Sequence, residues 1–259
     1  MKRLLIEKEL QDASSFSFTK QDTLPEISHR NVVLAEAMIA NDSDYILSGD
    51  VCAKPDGKYK GSTAYWMHTL KDALDHNSND TKIKIIITEA VLAVDRENST
   101  HLAADSLGPS VITERIYLKR HALVDILKDR SKGFRFIEDL SAKTGDSNIL
   151  KDGKTYHPRE NYSFATKFCH YACLFFFDND KERVFRDNYS IYDRVVAKAL
   201  PDYLKAYNIL KADKRPYKEA DFKHASSYAL FSELIDCLRD DKVSRNGFDH
   251  LLWYYHKAR

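Results

Sequence analysis

The chain has 259 residues, 43% of them hydrophobic and 31% charged, which is enough apolar sequence for one sizeable core or two packed lobes. Lys, Asp or His interrupts each long apolar run before it reaches the length of a membrane span, so we expect no membrane segment. The formal net charge is +1, which excludes the strongly basic class of small DNA-binding domains.

The first part of the chain predicts helices around one irregular segment. Residues 1–12 become charged after a short apolar stretch and lack the apolar core of a secretory signal, so we expect a cytoplasmic protein. Apolar and small residues recur at helical spacing over 29–41, which predicts a helix. The Pro-Asp-Gly turn in 45–62 is typical of a small β-hairpin or an irregular loop. Ser62 or Thr63 is expected to cap the next helix.

Three further segments lead to the middle of the chain. The Ile-rich stretch 81–98 contains Glu and Ala residues that favour a buried helix over a strand. Residues 112–130 have the apolar spacing of one continuous amphipathic helix. The polar, turn-rich stretch 141–160 is the expected connector between two lobes. We therefore expect an N-terminal helical lobe in 1–145 and a C-terminal lobe in 146–259.

Beyond the connector the pattern is again helical. The apolar stretch 161–177 is followed by a charged insertion at 178–188, and further helical stretches lie in 189–210, 221–238 and 245–259. Gly (8) and Pro (6), the residues that most often interrupt helices, are scarce. The expected fold class is therefore mostly α, in two helical lobes, with at most a small β-hairpin in the N-terminal lobe.

The cysteines do not have the spacing of a zinc or iron–sulfur site; they are Cys52, Cys169, Cys173 and Cys237. Cys169 and Cys173 lie four positions apart and therefore on one face of a predicted helix. We expect buried, reduced thiols and no bound metal.

Lys167 lies in one of the most apolar stretches of the chain, 164–177. Burial disfavours the charged form of a lysine and lowers its pKa, and a neutral amine is a nucleophile that forms Schiff bases. The alternative is a structural role, in which Lys167 joins Ser163, Thr166 and His170 in a polar stripe and its ammonium reaches solvent. The local sequence alone favours the structural alternative.

Asp193 precedes a helical run in the segment IYDRVVAKAL. Asp is a preferred N-cap, because its carboxylate accepts hydrogen bonds from the first backbone N–H groups of a helix. The positive end of the helix keeps such a carboxylate ionised, and an ionised carboxylate stabilises an oxocarbenium-like transition state. Asp193 is therefore expected to be a cap alone, or a cap and a catalytic group at once.

Taken as a pair, these two residues indicate a function. The chain has the motif ATK, then an apolar helix, then the segment IYDRVVAKAL. This order resembles the helix-hairpin-helix DNA glycosylase superfamily. The resemblance is to its 8-oxoguanine glycosylase branch in particular, in a divergent archaeal, bacterial or phage form. The resemblance covers residues 162–200. It implies that Lys167 forms the Schiff base and that Asp193 is the family's catalytic aspartate. The sequence PRENYSF, residues 158–164, stands where the family has a glycine-rich, phosphate-binding hairpin.

Aromatic and basic residues near these two positions are candidates for DNA contacts. Related bacterial sequences share a Leu-Trp-x-Tyr pattern with the C-terminal LWYY segment. Trp253, Tyr255 and Tyr192 are candidates to stack on an extruded base, and the alternative is that they fill the core. Arg194 and Lys198 are candidates for DNA-backbone contacts, or are simply solvated charges.

These features predict a DNA glycosylase with AP-lyase activity that cuts the glycosidic bond of an oxidised or otherwise modified base. The expected partner is double-stranded DNA carrying that base, bound by a monomer associated with the nucleoid, and no cofactor is needed. Residues 151–259 have a net charge of +4 and the rest of the chain −3, which weakly favours an anion-binding C-terminal half.

Two alternatives remain open. The main one is a non-catalytic helical module that binds DNA or a protein, in which Lys167 and Asp193 are structural. The other is a Schiff-base enzyme acting on a small carbonyl compound. Against it, the chain has neither a phosphate-binding glycine loop nor the strand–helix alternation of an aldolase barrel.

Overall fold

The computed structural model shows a mostly helical protein, which confirms the predicted fold class. It describes residues 3–5, 23–41, 61–98, 100–102, 107–145, 149–151, 154–156 and 158–256. The elements in chain order are β1 Arg3–Leu5, β2 Thr23–Pro25, α1 His29–Asn41, α2 Thr63–Asp75, α3 Asp80–Asn98, α4 Gly108–Leu118, α5 Leu123–Lys128, α6 Arg130–Ser141, β3 Ile149–Lys151, β4 Lys154–Tyr156, α7 Tyr162–Phe176, α8 Arg194–Ala206, α9 Tyr228–Leu238 and α10 Arg245–His256. Across these ranges, none of the helices has the apolar length that a membrane crossing requires.

The chain forms two units, and each is built from its own elements. The middle unit is Ser48–Tyr189, and the terminal unit combines Met1–Leu47 with Ser190–Arg259. The lobes expected at 1–145 and 146–259 differ from this division, because α7 packs with α2 and α6 in the middle unit and α1 packs with α10 in the terminal unit. Chain order alone does not indicate either pairing.

Helix α7 is the centre of the middle unit. All of its residues except Ser163 are buried, and it packs against α2, α3, α5 and α6. A mostly apolar helix that is buried on all its faces must be surrounded by other elements, because any exposed face would leave apolar surface in water. This packing holds the Lys167 side chain inside the unit.

A close contact between α6 and Tyr189 explains a glycine in the first turn of that helix. Tyr189 is fully buried, and its hydroxyl donates a hydrogen bond to the main-chain oxygen of Leu127 at 3.0 Å. A Cβ on Gly133 would overlap the Tyr189 ring. Tyr189, the last residue of the middle unit, can therefore bind the junction between α5 and α6 only because residue 133 has no side chain.

The single amphipathic helix predicted for residues 112–130 is wrong. The structure has α4, a 3₁₀ turn at Arg120–Ala122 and α5 in this range. The Arg120 guanidinium lies 4.1 Å from the centre of the Tyr117 ring, and its Nε donates to Asp80 Oδ1 at 3.0 Å. These contacts stabilise the turn, and apolar spacing alone does not predict them.

The connector predicted at 141–160 contains the antiparallel pair β3–β4. The Arg115 guanidinium of α4 fixes the start of the connector by donating to the main-chain oxygens of Ala142 and Lys143, at 2.6 and 2.9 Å. The β-hairpin expected in the N-terminal lobe falls mainly on 45–60, which lie outside the described residues.

In the terminal unit, α1 packs on α10, and α8 packs on α9 and α10. Two tyrosines attach the N-terminal segment to α8. The Tyr203 hydroxyl donates to the main-chain oxygen of Pro25 at 2.9 Å, and the Tyr207 hydroxyl accepts from the main-chain N–H of Ile27 at 3.1 Å. Segments far apart in sequence therefore share one core.

The cysteines agree only partly with the expectation of buried thiols. Cys169 and Cys173 are free and buried in α7, and burial raises the pKa of both thiols. Cys237 is free but exposed on α9, so the expectation is wrong for that residue. Cys52 lies outside the described residues.

Candidate functional site

Lys167 binds the C-terminal end of a neighbouring helix. It is only 9% exposed, and its Nζ donates a hydrogen bond to the main-chain oxygen of Asn98 at 3.0 Å. Asn98 is the last residue of α3, where carbonyl groups have no donor within the helix and the helix dipole is negative. A cation is favourable at this position, so Lys167 acts as a C-terminal cap for α3.

Tyr171, one turn after Lys167 on α7, binds the side chain of the same asparagine. Its hydroxyl donates to Asn98 Oδ1 at 2.7 Å, and Asn98 Nδ2 donates to the main-chain oxygen of Val94 at 3.1 Å. Both α7 side chains therefore contact one residue at the end of α3. Sequence reasoning missed Tyr171, although its spacing of four from Lys167 places the two on one helical face.

Apart from the partly exposed Ser163, the polar stripe on α7 does not face solvent. Thr166 is fully buried, and its hydroxyl donates to the main-chain oxygen of Ser163 at 3.1 Å. His170 is also buried, and its Nδ1 lies 2.8 Å from the main-chain oxygen of Tyr189. Because a carbonyl only accepts, Nδ1 carries the hydrogen in this contact. The solvent-facing stripe considered from the sequence is therefore wrong.

Asp193 is the N-cap of α8, as its sequence position indicates. Its Oδ1 accepts hydrogen bonds from the main-chain N–H groups of Val195 at 2.8 Å and Val196 at 2.9 Å. The residue has extended backbone geometry, with φ −135° and ψ 178°, as expected for a cap. Both bonds use the same oxygen, so capping does not occupy Oδ2.

Tyr192 lies directly before this cap and is half-buried. Its ring centre is 5.4 Å from that of Phe231, with the rings at 75°. Burial raises the pKa of Tyr192 to about 12, and the nearby carboxylates of Glu219 and Asp193 also raise it. The phenol therefore stays protonated at neutral pH and remains a hydrogen-bond donor.

The remaining candidates belong to the terminal unit with Tyr192 and Asp193. Arg194 and Lys198 are exposed and lie one turn apart on α8. Trp253 is half-buried on α10, whereas Tyr255 is 0% exposed. Tyr255 therefore fills the core, and it would have to leave that core to stack on a base.

The structure thus places the two predicted catalytic residues in different units. Asp193 belongs to the terminal unit with the aromatic and basic candidates, whereas Lys167 belongs to the middle unit. The difference in net charge between residues 151–259 and the rest of the chain does not appear between the two units. The terminal unit has 18 Lys+Arg and 18 Asp+Glu, and the middle unit has 22 and 21, so neither has a strong overall charge.

We compared the chain with protein-family models, with curated proteins and with solved structures, and none of them matches it.

Proposed function

We propose that the protein is a DNA glycosylase that removes a modified base from duplex DNA and then cleaves the strand as an AP lyase. The resemblance of residues 162–200 to the helix-hairpin-helix glycosylases supports this proposal, and a mostly α chain is what that resemblance implies. The substrate class it suggests is an oxidised purine such as 8-oxoguanine. The enzyme would act as a monomer in the cytoplasm, on nucleoid DNA.

The geometry of Asp193 is the observation that carries the proposal. Its carboxylate is fixed through Oδ1 at the positive end of α8, and its charge contributes to raising the pKa of the preceding Tyr192. An oriented carboxylate is suited to stabilising the positive charge that develops on a sugar during base loss. The proton that Lys167 must lose would pass to water.

Lys167 supplies the nucleophile in this mechanism. Its amine would first leave the Asn98 carbonyl and lose a proton, then attack C1′ of the extruded nucleotide. The bond from C1′ to the base breaks, and the base leaves with the electron pair and takes up a proton. The sugar ring opens to an imine, loss of a C2′ proton expels the 3′ phosphate, and water hydrolyses the imine to restore the lysine.

A second candidate function is a non-catalytic helical module that binds DNA or a protein. The observation that favours it is the contact between Lys167 and Asn98, which gives the lysine a complete structural role as a helix cap. Asp193 likewise has a structural role in capping α8. Under this alternative, both residues contribute to stability and neither contributes to chemistry.

The experiment that separates the two candidates is a panel of duplexes, each with a single modified base, scored for abasic-site formation. The glycosylase proposal requires that wild-type protein releases at least one modified base and that Asp193→Asn is strongly impaired on the same duplex. Asp129→Asn is a matched control, because Asp129 caps α6 through the same pair of backbone bonds to Oδ1. No excision on any duplex, with binding retained, would favour the non-catalytic module.

A further inference from the structure

The segment between α8 and α9 contains a short, strongly basic loop. Residues 211–218, KADKRPYK, contain four cationic side chains and one acid, and we call them the basic loop. Lys214, Arg215 and Lys218 are exposed. The terminal unit as a whole has equal numbers of cations and acids, so this local excess is not a reflection of its overall charge.

Backbone hydrogen bonds hold the tip of the basic loop in one conformation. The N–H of Lys211 donates to the oxygen of Arg215 at 3.0 Å, and the N–H of Lys214 donates to the oxygen of Lys211 at 2.8 Å. Lys214 has a φ of +64°, in the left-handed region that is unfavourable for a residue with a Cβ. The chain thus keeps a lysine at a position where glycine or asparagine would fit with less strain.

The acidic partners of the loop leave most of its positive charge at the surface. Lys211 is anchored to Asp221, with Nζ 2.7 Å from Oδ1. Arg215 Nε donates to Asp213 Oδ2 at 2.7 Å, yet the Arg215 side chain is still 77% exposed. Lys214 and Lys218 are exposed as well.

A row of aromatic rings connects the basic loop to the start of α8. The Tyr217 ring stacks on Phe222 with centres 5.8 Å apart, and Phe222 lies 6.1 Å from Phe231. Phe231 in turn contacts Tyr192 at 5.4 Å, and Tyr192 precedes Asp193. All these residues belong to the terminal unit, so the loop has a fixed position relative to the proposed catalytic carboxylate.

We propose that the basic loop binds the phosphate backbone of duplex DNA close to the nucleotide on which Asp193 acts. This inference rests on the proposed glycosylase function. A loop whose backbone is already ordered loses little backbone entropy when its side chains bind phosphates, and phosphate contacts orient a duplex without reading its sequence. Exposed lysines and an arginine around a stacked tyrosine have the chemistry that a phosphate backbone requires.

The test is the salt dependence of binding to a fluorescein-labelled duplex, with and without one modified base. The variant Lys214→Gln/Arg215→Gln/Lys218→Gln removes three cations and keeps a Cβ at every position. We expect its slope of log Kd against log salt to fall by about 0.9 for each phosphate that the loop no longer neutralises, or about 2 to 3 in total. Its affinity at low salt should fall on the order of tenfold, alike for both duplexes.

Two further variants show whether position or charge is responsible. Lys82→Gln/Lys119→Gln/Arg135→Gln removes the same charge from exposed residues of the middle unit, and its slope should stay close to that of wild type. Lys214→Arg/Arg215→Lys/Lys218→Arg keeps the charge of the loop and should also keep the slope. Equal losses in the loop variant and in the middle-unit variant would overturn the inference, because the effect would then come from net charge.

The same samples separate this inference from the proposed function. If the duplexes are bound with the expected loop dependence but no base is excised, the loop assignment holds and the glycosylase proposal fails. If a base is excised and the loop variant keeps the wild-type slope, the loop assignment fails and the glycosylase proposal holds. Wild-type protein that binds no duplex, or a loop that is required only for binding anionic lipid vesicles, would also overturn the inference.

Discussion

The ammonium of Lys167 donates a hydrogen bond to the main-chain oxygen of Asn98, 69 positions earlier in the chain, at 3.0 Å. This bond caps α3 and joins it to the most buried helix of the middle unit. The amine that we propose as the nucleophile is therefore already engaged in the resting protein. The structural role of Lys167 and its proposed chemical role can be tested separately.

Loss of the Lys167 cap is expected to destabilise the protein. In Lys167→Met, the apolar stem is largely retained, but the Asn98 carbonyl loses its charged donor. We expect the free energy of unfolding to fall by about 1–3 kcal/mol, measured by urea denaturation. Lys82→Met, at an exposed position of α3, should change it by less than about 0.5 kcal/mol. Equal stabilities for the two variants would show that the capping bond contributes nothing.

Asp193 is expected to contribute to catalysis beyond its capping role. Asn is as good an N-cap as Asp, so Asp193→Asn should fold normally and bind duplex DNA. Base excision should fall about 100-fold or more, a loss of at least about 2.7 kcal/mol of transition-state stabilisation. The matched Asp129→Asn variant should keep its turnover. An Asp193→Asn enzyme with near-native turnover would reduce Asp193 to a cap.

Trp253 is expected to help distinguish modified from normal bases. Trp253→Ala should weaken the preference for a modified duplex more than it weakens binding to undamaged duplex, because a stacking surface of about 1–3 kcal/mol is removed. The other tryptophan, Trp66, is also half-buried but lies in the middle unit, so Trp66→Ala is the matched control. Unchanged selectivity with a lower melting temperature in Trp253→Ala would mean that this ring only fills the core.

The buried thiols are expected to make stability fall at alkaline pH. The pKa of Cys169 and Cys173 is raised by burial in the folded protein, whereas an unburied thiol has a pKa of 9.0. Their contribution to stability is thus full below about pH 9 and is lost as the pH rises, at about 1.4 kcal/mol per pH unit for each thiol. Urea denaturation at increasing pH should show that the free energy of unfolding of Cys169→Ala falls less steeply above about pH 9 than that of wild type. The Cys237→Ala variant should follow the wild-type curve.

The fold class and many of its elements could be predicted because they depend on local patterns. Periodicity predicted α1 over residues 29–41, and Ser62 caps α2 by accepting from the N–H of Tyr65 at 3.2 Å. The break in the helix within 112–130 could not be predicted, because the apolar spacing there is that of a continuous helix. The contacts of Arg120 with Tyr117 and Asp80 depend on side-chain positions that this spacing does not specify. Turns stabilised in this way leave no periodic signal.

The candidate site could be predicted only in its local parts. Asp193 as a cap follows from residue type and the apolar run after it, and the structure has that cap. The contact of Lys167 with Asn98 could not be predicted, because it joins two helices that are far apart in sequence. The basic loop was missed because its charge is spread over eight residues, and the turn that orders it depends on backbone bonds within 211–215.

The measurement that tests the Schiff-base mechanism most directly is borohydride trapping on a duplex that the enzyme processes. Borohydride should reduce the imine and leave the protein covalently bonded to DNA, with the added mass on a peptide containing Lys167. Lys167→Gln should abolish the adduct, Lys82→Gln should not, and trapping should accelerate as the pH rises because only the neutral amine attacks. Base excision without an adduct would leave Lys167 as a helix cap in a glycosylase that uses water, and an adduct on any other amine would contradict the assignment of Lys167.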